Sequence, residues 1–219
     1  MGFDGVPATA IEFYQRLEAD NSKVFWEANK ATFVESVREP MRALCVELEE
    51  FGALHMFRPH NDLRFAKGKP PYKTHQGAYG ESEGGAGFYV QLSASGLMAG
   101  TGYYAMAKDQ LERFRTAVAA DGTGSEIATI VARLPHRYSV GAISELKSAP
   151  RGVAKDHPRI ELLRRKGLMV SRDFGAPKWL HTKQAVAKVR EFWLSGCEIN
   201  GWLDAHVGPS TLAPEGFFG

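Results

Sequence analysis

The sequence predicts an α+β fold: a small, mainly antiparallel sheet covered by helices, in a single domain. Three observations carry this. Apolar residues recur at helical spacing towards both ends of the chain. A central stretch alternates apolar and polar residues on either side of a short glycine turn, the mark of a β-hairpin. No strand–helix repeat accompanies that hairpin, so a doubly wound parallel sheet is not expected. The expected division is an N-terminal tail over 1–8, the domain over 9–207 and a loose C-terminal tail over 208–219.

Thr9 and Glu12 have capping-box spacing at the head of a first helix, with Ile11, Tyr14 and Leu17 on one side. A second helix runs from Ser22 to Arg38 on the apolar side of Phe25, Ala28, Phe33 and Val37, and Pro40 is expected to break or kink it. Met41, Leu44, Cys45, Leu48 and Phe51 form a third stretch, with Gly52 as its stop. Residues 53–87 sustain neither period. They offer only short strand candidates such as Asp62–Phe65, Pro70-Pro71 denies them a helix, and 80–87 reads as a mobile loop. Phe88, Val90 and Leu92 then alternate with Tyr89, Gln91 and Ser93, and Ala94-Ser95-Gly96 turns the chain into Leu97–Gly102. Helices follow over 108–120 and 124–134, then a short strand over 138–143. Asp156 is expected to cap a helix with Pro158 just inside it. Leu168–Asp173 reads as a strand, and a long helix over 180–206, with a wobble at Gly196–Gly201, closes the domain.

The chain has 219 residues, 44% hydrophobic and 24% charged, which excludes disordered and low-complexity classes. Cys45 and Cys197 are too few for a disulfide framework and lack zinc-site spacing, so both are expected to act as small core hydrophobes. Trp26, Trp179, Trp193 and Trp202 are expected in the core. No apolar run reaches the ~18 residues that span a membrane, and the N-terminus has no basic, apolar leader pattern. A cytoplasmic protein with no membrane partner is expected.

Net charge is +2, but it is unevenly spread. Residues 58–75 hold Arg58, Arg64, Lys67, Lys69 and Lys73 against Asp62 alone. Residues 147–172 hold Lys147, Arg151, Lys155, Arg159, Arg164, Arg165, Lys166 and Arg172 against Asp156 and Glu161. The rest of the chain is net acidic. Two basic segments that met in space would form a surface attracting anions.

Several strings carry a resemblance. They are Asn21-Ser22, Phe25-Trp26-Glu27-Ala28-Asn29-Lys30 and Arg38-Glu39-Pro40 near the start. Phe57-Arg58-Pro59, Asp62-Leu63-Arg64-Phe65, Lys69 and Pro71-Tyr72-Lys73-Thr74-His75 follow, with the strand Gly85–Leu92. Lys155-Asp156-His157-Pro158 and Ser171-Arg172 come later. Together they resemble the mainly bacterial family of hypothetical proteins catalogued as domain of unknown function 2461, over roughly residues 10–206. The resemblance implies no reaction, cofactor, substrate or catalytic residue. The chain also departs from the family pattern. Asn61 stands where members commonly have arginine, and Gly68 where they commonly have aspartate. Phe25-Trp26 reverses the usual order.

The residues themselves suggest an anion site. Arg58, Arg64, Lys69 and Lys73 lie close in sequence to Tyr72 and His75, with Asp62 embedded among them. Arginine offers a planar fork to phosphate or carboxylate, and lysine a point charge. Structural ion-pairing of the loop is the competing reading. Lys155 and His157 sit where a helix N-terminus would favour an anion, although Asp156 as a simple cap explains the same string. Arg172, in a strand, is expected to join residues 58–75 in one concave basic site. Gly100-Thr101-Gly102 fits a dinucleotide fingerprint only if a strand-turn-helix surrounds it.

No nucleophile elbow, phosphate-binding P-loop or metal-ligand spacing is present. The expected ligand is an anionic small molecule, phosphorylated or nucleotide-like, ahead of nucleic acid. A nucleic-acid module or a protein-interaction domain on the same basic surface is the alternative. No cofactor, reaction or oligomeric state follows from the sequence.

Overall fold

Residues 2–62, 68–82 and 84–212 are described by the computed structural model. Helix α1, Ala8–Ala19, buries Ala10, Phe13, Tyr14 and Leu17 on the expected face. The capping box does not form. Pro7 holds the cap position without a side-chain bond, and Thr9 Oγ1 donates instead to Ser36 Oγ at 2.9 Å. Ser22 Oγ accepts from the Phe25 amide and caps α2, Lys23–Thr32.

Pro40 does not break the helix that follows. The chain passes from α2 through a π-helical segment, Phe33–Arg38, into α3, Glu39–Val46, with Pro40 in the first turn of α3. Proline lacks the amide of an ordinary i→i−4 bond and crowds the preceding turn. Widening that turn to π spacing lets the helix continue.

The strands are β1 His55–Met56, β2 His75–Glu81, β3 Gly87–Ser93, β4 Gly96–Tyr103, β5 Ser139–Gly141 and β6 Leu168–Gly175. Every pairing is antiparallel, in the order β1-β2-β3-β4-β6-β5. The β3–β4 hairpin has the expected register, Leu92 opposite Leu97, and Gly96 adopts a φ of 110° after the two-residue turn.

Two expectations in this region are corrected. Residues 75–81 are a seven-residue strand, so Gly80 and Glu81 end β2 and Gly87 opens β3 where one long loop was expected. The strand expected at Asp62–Phe65 lies outside the described residues beyond Asp62, which is itself not in a strand. Gly100-Thr101-Gly102 runs along β4 with no strand-turn-helix around it, which removes the dinucleotide reading.

Helices cover one face of the sheet. Ala78, Val90, Leu92, Leu97, Ala99 and Val170 are buried there. α4 Lys108–Ala119 and α5 Asp121–Ala132 pack with the final pair, α7 Gln184–Ser195 and α8 Cys197–His206, and both of those lie on β4. Trp193 of α7 is fully buried, and its Nε1 donates to the Gly100 carbonyl at 3.0 Å. Burying a side chain of this kind contributes at least ~1.5–3 kcal/mol. The expected long helix divides at Gly196, where the α7–α8 corner lies against the Thr101 methyl too closely for a Cβ.

The N-terminal residues Phe3 and Val6 are in this core. Trp26, Trp193 and Trp202 are buried, and Trp179 packs against the core partly buried. Cys45 is buried, and burial pushes its thiol up to about 12. Cys197, expected in the core, is exposed because it opens α8 on the outer side of the helix layer. At the other end, Asp109 accepts bonds from Ser210 and Thr211, so residues 208–212 are held to α4, and 213–219 lie outside the described residues. No helix of the described residues is long and apolar enough to cross a membrane.

Candidate functional site

The β1–β2 ladder does not stop at the sheet. The Phe57 amide donates to the Gly77 carbonyl at 2.9 Å, the Lys73 amide to Pro59 at 2.7 Å and the Asn61 amide to Pro71 at 2.9 Å. His60 and Tyr72 form a bridge beyond them. Residues 55–61 and 71–79 thus form a two-stranded arm, with Asp62 and Gly68–Pro70 the described residues at its tip. Pro59 and Pro71 cost it little, because the ladder uses their carbonyls and needs no amide from them, and the Pro70 carbonyl accepts from Asn61 Nδ2 at 2.8 Å.

The arm is fastened to the helices by residues distant in sequence. Asn21 Nδ2 donates to the Tyr72 carbonyl, and the Tyr72 amide donates to Asn21 Oδ1, both at 3.0 Å. The Tyr72 ring stacks on Trp26 at 4.2 Å and 8°. Tyr72 is only 4% exposed, so its ring is an anchor and is not available to stack on a ligand.

This anchoring sets the cations in place. Arg58 approaches Asp62 at 3.8 Å with the arginine side chain 55% exposed, a pair of the kind that contributes ~0–1 kcal/mol. Lys73 Nζ lies 5.2 Å from the Phe57 ring centroid. Partial burial, and then Arg58, hold the Lys73 ammonium below its ordinary pKa. Burial, and then Lys73, do the same to His75. Among the described residues no carboxylate pairs with Lys73 or His75. Lys69 is exposed on the tip, beside Gly68. Arg64, with Lys67 and Phe65, lies outside the described residues.

Arg172 does not join this group. It sits opposite Ala99 in the register, so its side chain is on the helix-covered face, whereas His75 opposite Ser93 is on the other. β2 and β6 are also separated by two strands, roughly 14 Å at the usual spacing. The Arg172 guanidinium lies 4.4 Å from the Phe174 centroid and 5.9 Å from that of Tyr138. The single concave site expected from the two basic segments is therefore not formed with Arg172.

Lys155 and His157 lie elsewhere again, before the short helix α6, Ile160–Leu163. Asp156 is not its cap. Arg159 holds that position without a side-chain bond, and His157 Nδ1 accepts from the Arg159 amide at 3.0 Å. Arg159 is the residue sequence reasoning missed. Its side chain is 10% exposed, and it donates to the Val118, Ala119 and Ala120 carbonyls at the end of α4. The basic string at 155–159 is thus explained by how the α4–α5 corner is closed.

Among the described residues no helix covers the sheet face that carries His75. Its residues alternate with those of the core: Gly77 and Tyr79 on β2, Gly87, Tyr89 and Gln91 on β3, Met98 on β4, Met169 and Ser171 on β6. Tyr79, Tyr89, Gln91, Met98, Met169 and Ser171 are half-buried where their core-side neighbours are fully buried. Burial pushes the Tyr89 phenol up to about 12, so it stays protonated and donates to Gln91 Oε1 at 2.6 Å. The alternation of Tyr89 and Gln91 was visible in sequence. Their position beside the cations was not.

A groove of about 590 Å³ lies far from this, between α5 and α8, lined in part by Arg133, Glu198, Trp202 and His206. Arg133 there faces Glu198 at 3.1 Å, and His206 Nε2 lies 4.0 Å from Glu126. Among the described residues no three His, Cys, Asp or Glu side chains gather as metal ligands.

These features define a class: an α+β domain whose sheet has helices on one face and a cationic arm beside the other. The chain belongs to the family described as "Conserved hypothetical protein (DUF2461)", which it matches over residues 9–202. No curated protein and no solved structure matches it. The family strings near residues 21–29 and at 72 now have physical roles: Asn21 clamps the arm, Ser22 caps α2, Trp26 carries Tyr72, and Asn29 Nδ2 donates to the Phe25 carbonyl.

Proposed function

We propose that this protein binds a small anionic molecule, phosphorylated or carboxylated, through Arg58, Lys73 and His75 at the root of the arm, with Lys69 as a further cation. One observation carries the reading. Lys73 stands within electrostatic reach of both Arg58 and His75, with no carboxylate of the described residues to neutralise it. Lys73 and Arg58 oppose one another, Asp62 answers only Arg58 of the two, and an anion would relieve that opposition. The arginine fork and the lysine point charge are the usual partners of phosphate and carboxylate. Asp62 lies 3.8 Å from Arg58 and not against Lys73.

A small ligand fits better than a nucleic-acid strand. A cluster of this size offers only a few phosphate contacts, and the remainder of the chain is net acidic. Two free thiols agree with a cytoplasmic setting.

Isothermal titration of the full chain with inorganic phosphate and with pyrophosphate tests the reading. Binding is expected, weakened about ten-fold or more by Arg58→Ala or Lys73→Ala, the scale of one charge-assisted hydrogen bond. Absence of binding at millimolar concentration, or unchanged affinity in both folded variants, overturns it.

A further inference from the structure

We infer that the sheet face beside Lys73 is a stacking platform, and that the anion bound there is a mononucleotide whose base lies on Tyr89. This rests on the anion site proposed above and extends it to residues that no charge pattern marks.

The platform is made by pairing glycines with aromatic rings across strands. Tyr89 on β3 lies across Gly77 on β2: a Cβ at Gly77 would stand 2.7 Å from the Tyr89 hydroxyl and 3.0 Å from its ring edge. Tyr79 lies across Gly87 in the same way, at 2.7 and 2.8 Å. Each ring therefore lies along the sheet instead of rising from it. Each is also tethered, Tyr89 to Gln91 Oε1 at 2.6 Å and Tyr79 to Glu81 Oε1 at 2.5 Å. A ring fixed flat before binding loses little freedom when a second ring is laid on it.

The platform is continuous with the cations. Phe57 lies 6.3 Å from Tyr89 between centroids, and Lys73 Nζ lies over Phe57. One ligand therefore reaches both, its phosphate at Lys73 and Arg58 and its ring two aromatic steps away. Gln91 uses its Oε1 for Tyr89, which leaves its amide donors for the edge of a base. Base–aromatic stacking tolerates any base because every base has a π-face.

Charge favours a single nucleotide over a strand. The cations stand at one end of the face, and the carboxylate of Glu81 stands at the other. A strand crossing the sheet would bring a second phosphate to that carboxylate.

Titration calorimetry with adenosine 5′-monophosphate, ribose 5-phosphate and inorganic phosphate tests this, with upfield ring-current shifts of the adenine protons as a second readout. The nucleotide is expected to bind about ten-fold or more tighter than the other two. Tyr89→Ala should bring it down to the inorganic phosphate value without changing phosphate binding, and Tyr89→Phe should keep most of the preference. Gly77→Ala, which lifts the Tyr89 ring, should weaken the nucleotide alone.

If phosphate binds but the nucleotide gains nothing over it, the platform is refuted and the anion site stands. If neither binds, the anion site itself has failed. A single-stranded octanucleotide that binds more tightly than the mononucleotide, with affinity falling steeply in salt, overturns the mononucleotide class.

Discussion

Replacing Asn21 by alanine should free the arm from the helices. Asn21 makes two hydrogen bonds, both 3.0 Å, to the backbone of a residue 51 positions away. Each contributes ~1 kcal/mol net, and removing the partner also strands the amide and carbonyl of buried Tyr72. The expected loss is about 2–3 kcal/mol. At ~2–4 °C per kcal/mol for a chain of this size, the melting temperature should fall by roughly 5–10 °C. Hydrogen exchange locates the effect. The Tyr72 amide should lose protection, and the Lys73 amide, bonded to Pro59 in the same ladder, should follow. Thr9→Val, which removes one exposed hydroxyl contact, serves as the control and should move neither quantity. An unchanged melting temperature together with unchanged exchange at Tyr72 would show that the clamp does not hold the arm.

Other outcomes follow from the same geometry. Arg159→Met should cost about 2–4 kcal/mol in urea denaturation, because the carbonyls ending α4 lose a nearly buried charged donor; a midpoint within error of the parent would mean that Arg159 does not close the corner. His75 is held below its usual ~6.5, first by burial and then by Lys73, so between its folded and unfolded values the native state carries fewer protons. Its contribution to stability is present above ~6.5 and is lost as pH falls through that value, and His75→Gln should flatten this part of the stability–pH curve. An identical slope in the variant would assign the effect elsewhere. The Asp109 carboxyl is held well below the usual carboxylate range, chiefly by the Thr211 amide, with help from Ser210 and Arg113. The stability it contributes is present above ~3.9 and lost as pH falls through the lower folded value, and Asp109→Asn should speed exchange at the Thr211 amide at neutral pH. Exchange as slow as in the parent would count against the tether.

What the sequence revealed and what it hid have physical reasons. The β3–β4 hairpin was legible because Phe88, Val90 and Leu92 alternate cleanly and Gly96 marks the turn. β2 was hidden because Gly77, Ala78 and Gly80 carry little strand propensity, and it is held as a strand by neighbours on both sides. The cations of 58–75 stood out by charge alone. That Arg172 faces away from them depends on register, which places Arg172 opposite Ala99, and a one-residue slip would reverse it. Tyr72 was grouped with the anion-site residues because its partner Trp26 is remote in sequence. The string at 155–159 suggested a helix cap at Asp156, whereas Arg159 holds the cap position and its side chain closes the α4–α5 corner. Tyr89 and Tyr79 gave no signal, since their value lies in which glycine each one covers.

The antiparallel order leaves β1 and β5, of two and three residues, at the rims of the sheet. β5 spans only Met169 to Ser171 of β6, so among the described residues no strand pairs with β6 beyond Ser171 on that side. Arg172 and Asp173 occupy that stretch. Charged side chains on a bare strand margin discourage another polypeptide from zipping alongside. The arginine that sits apart from the cationic arm thereby helps keep one molecule from propagating its sheet into the next.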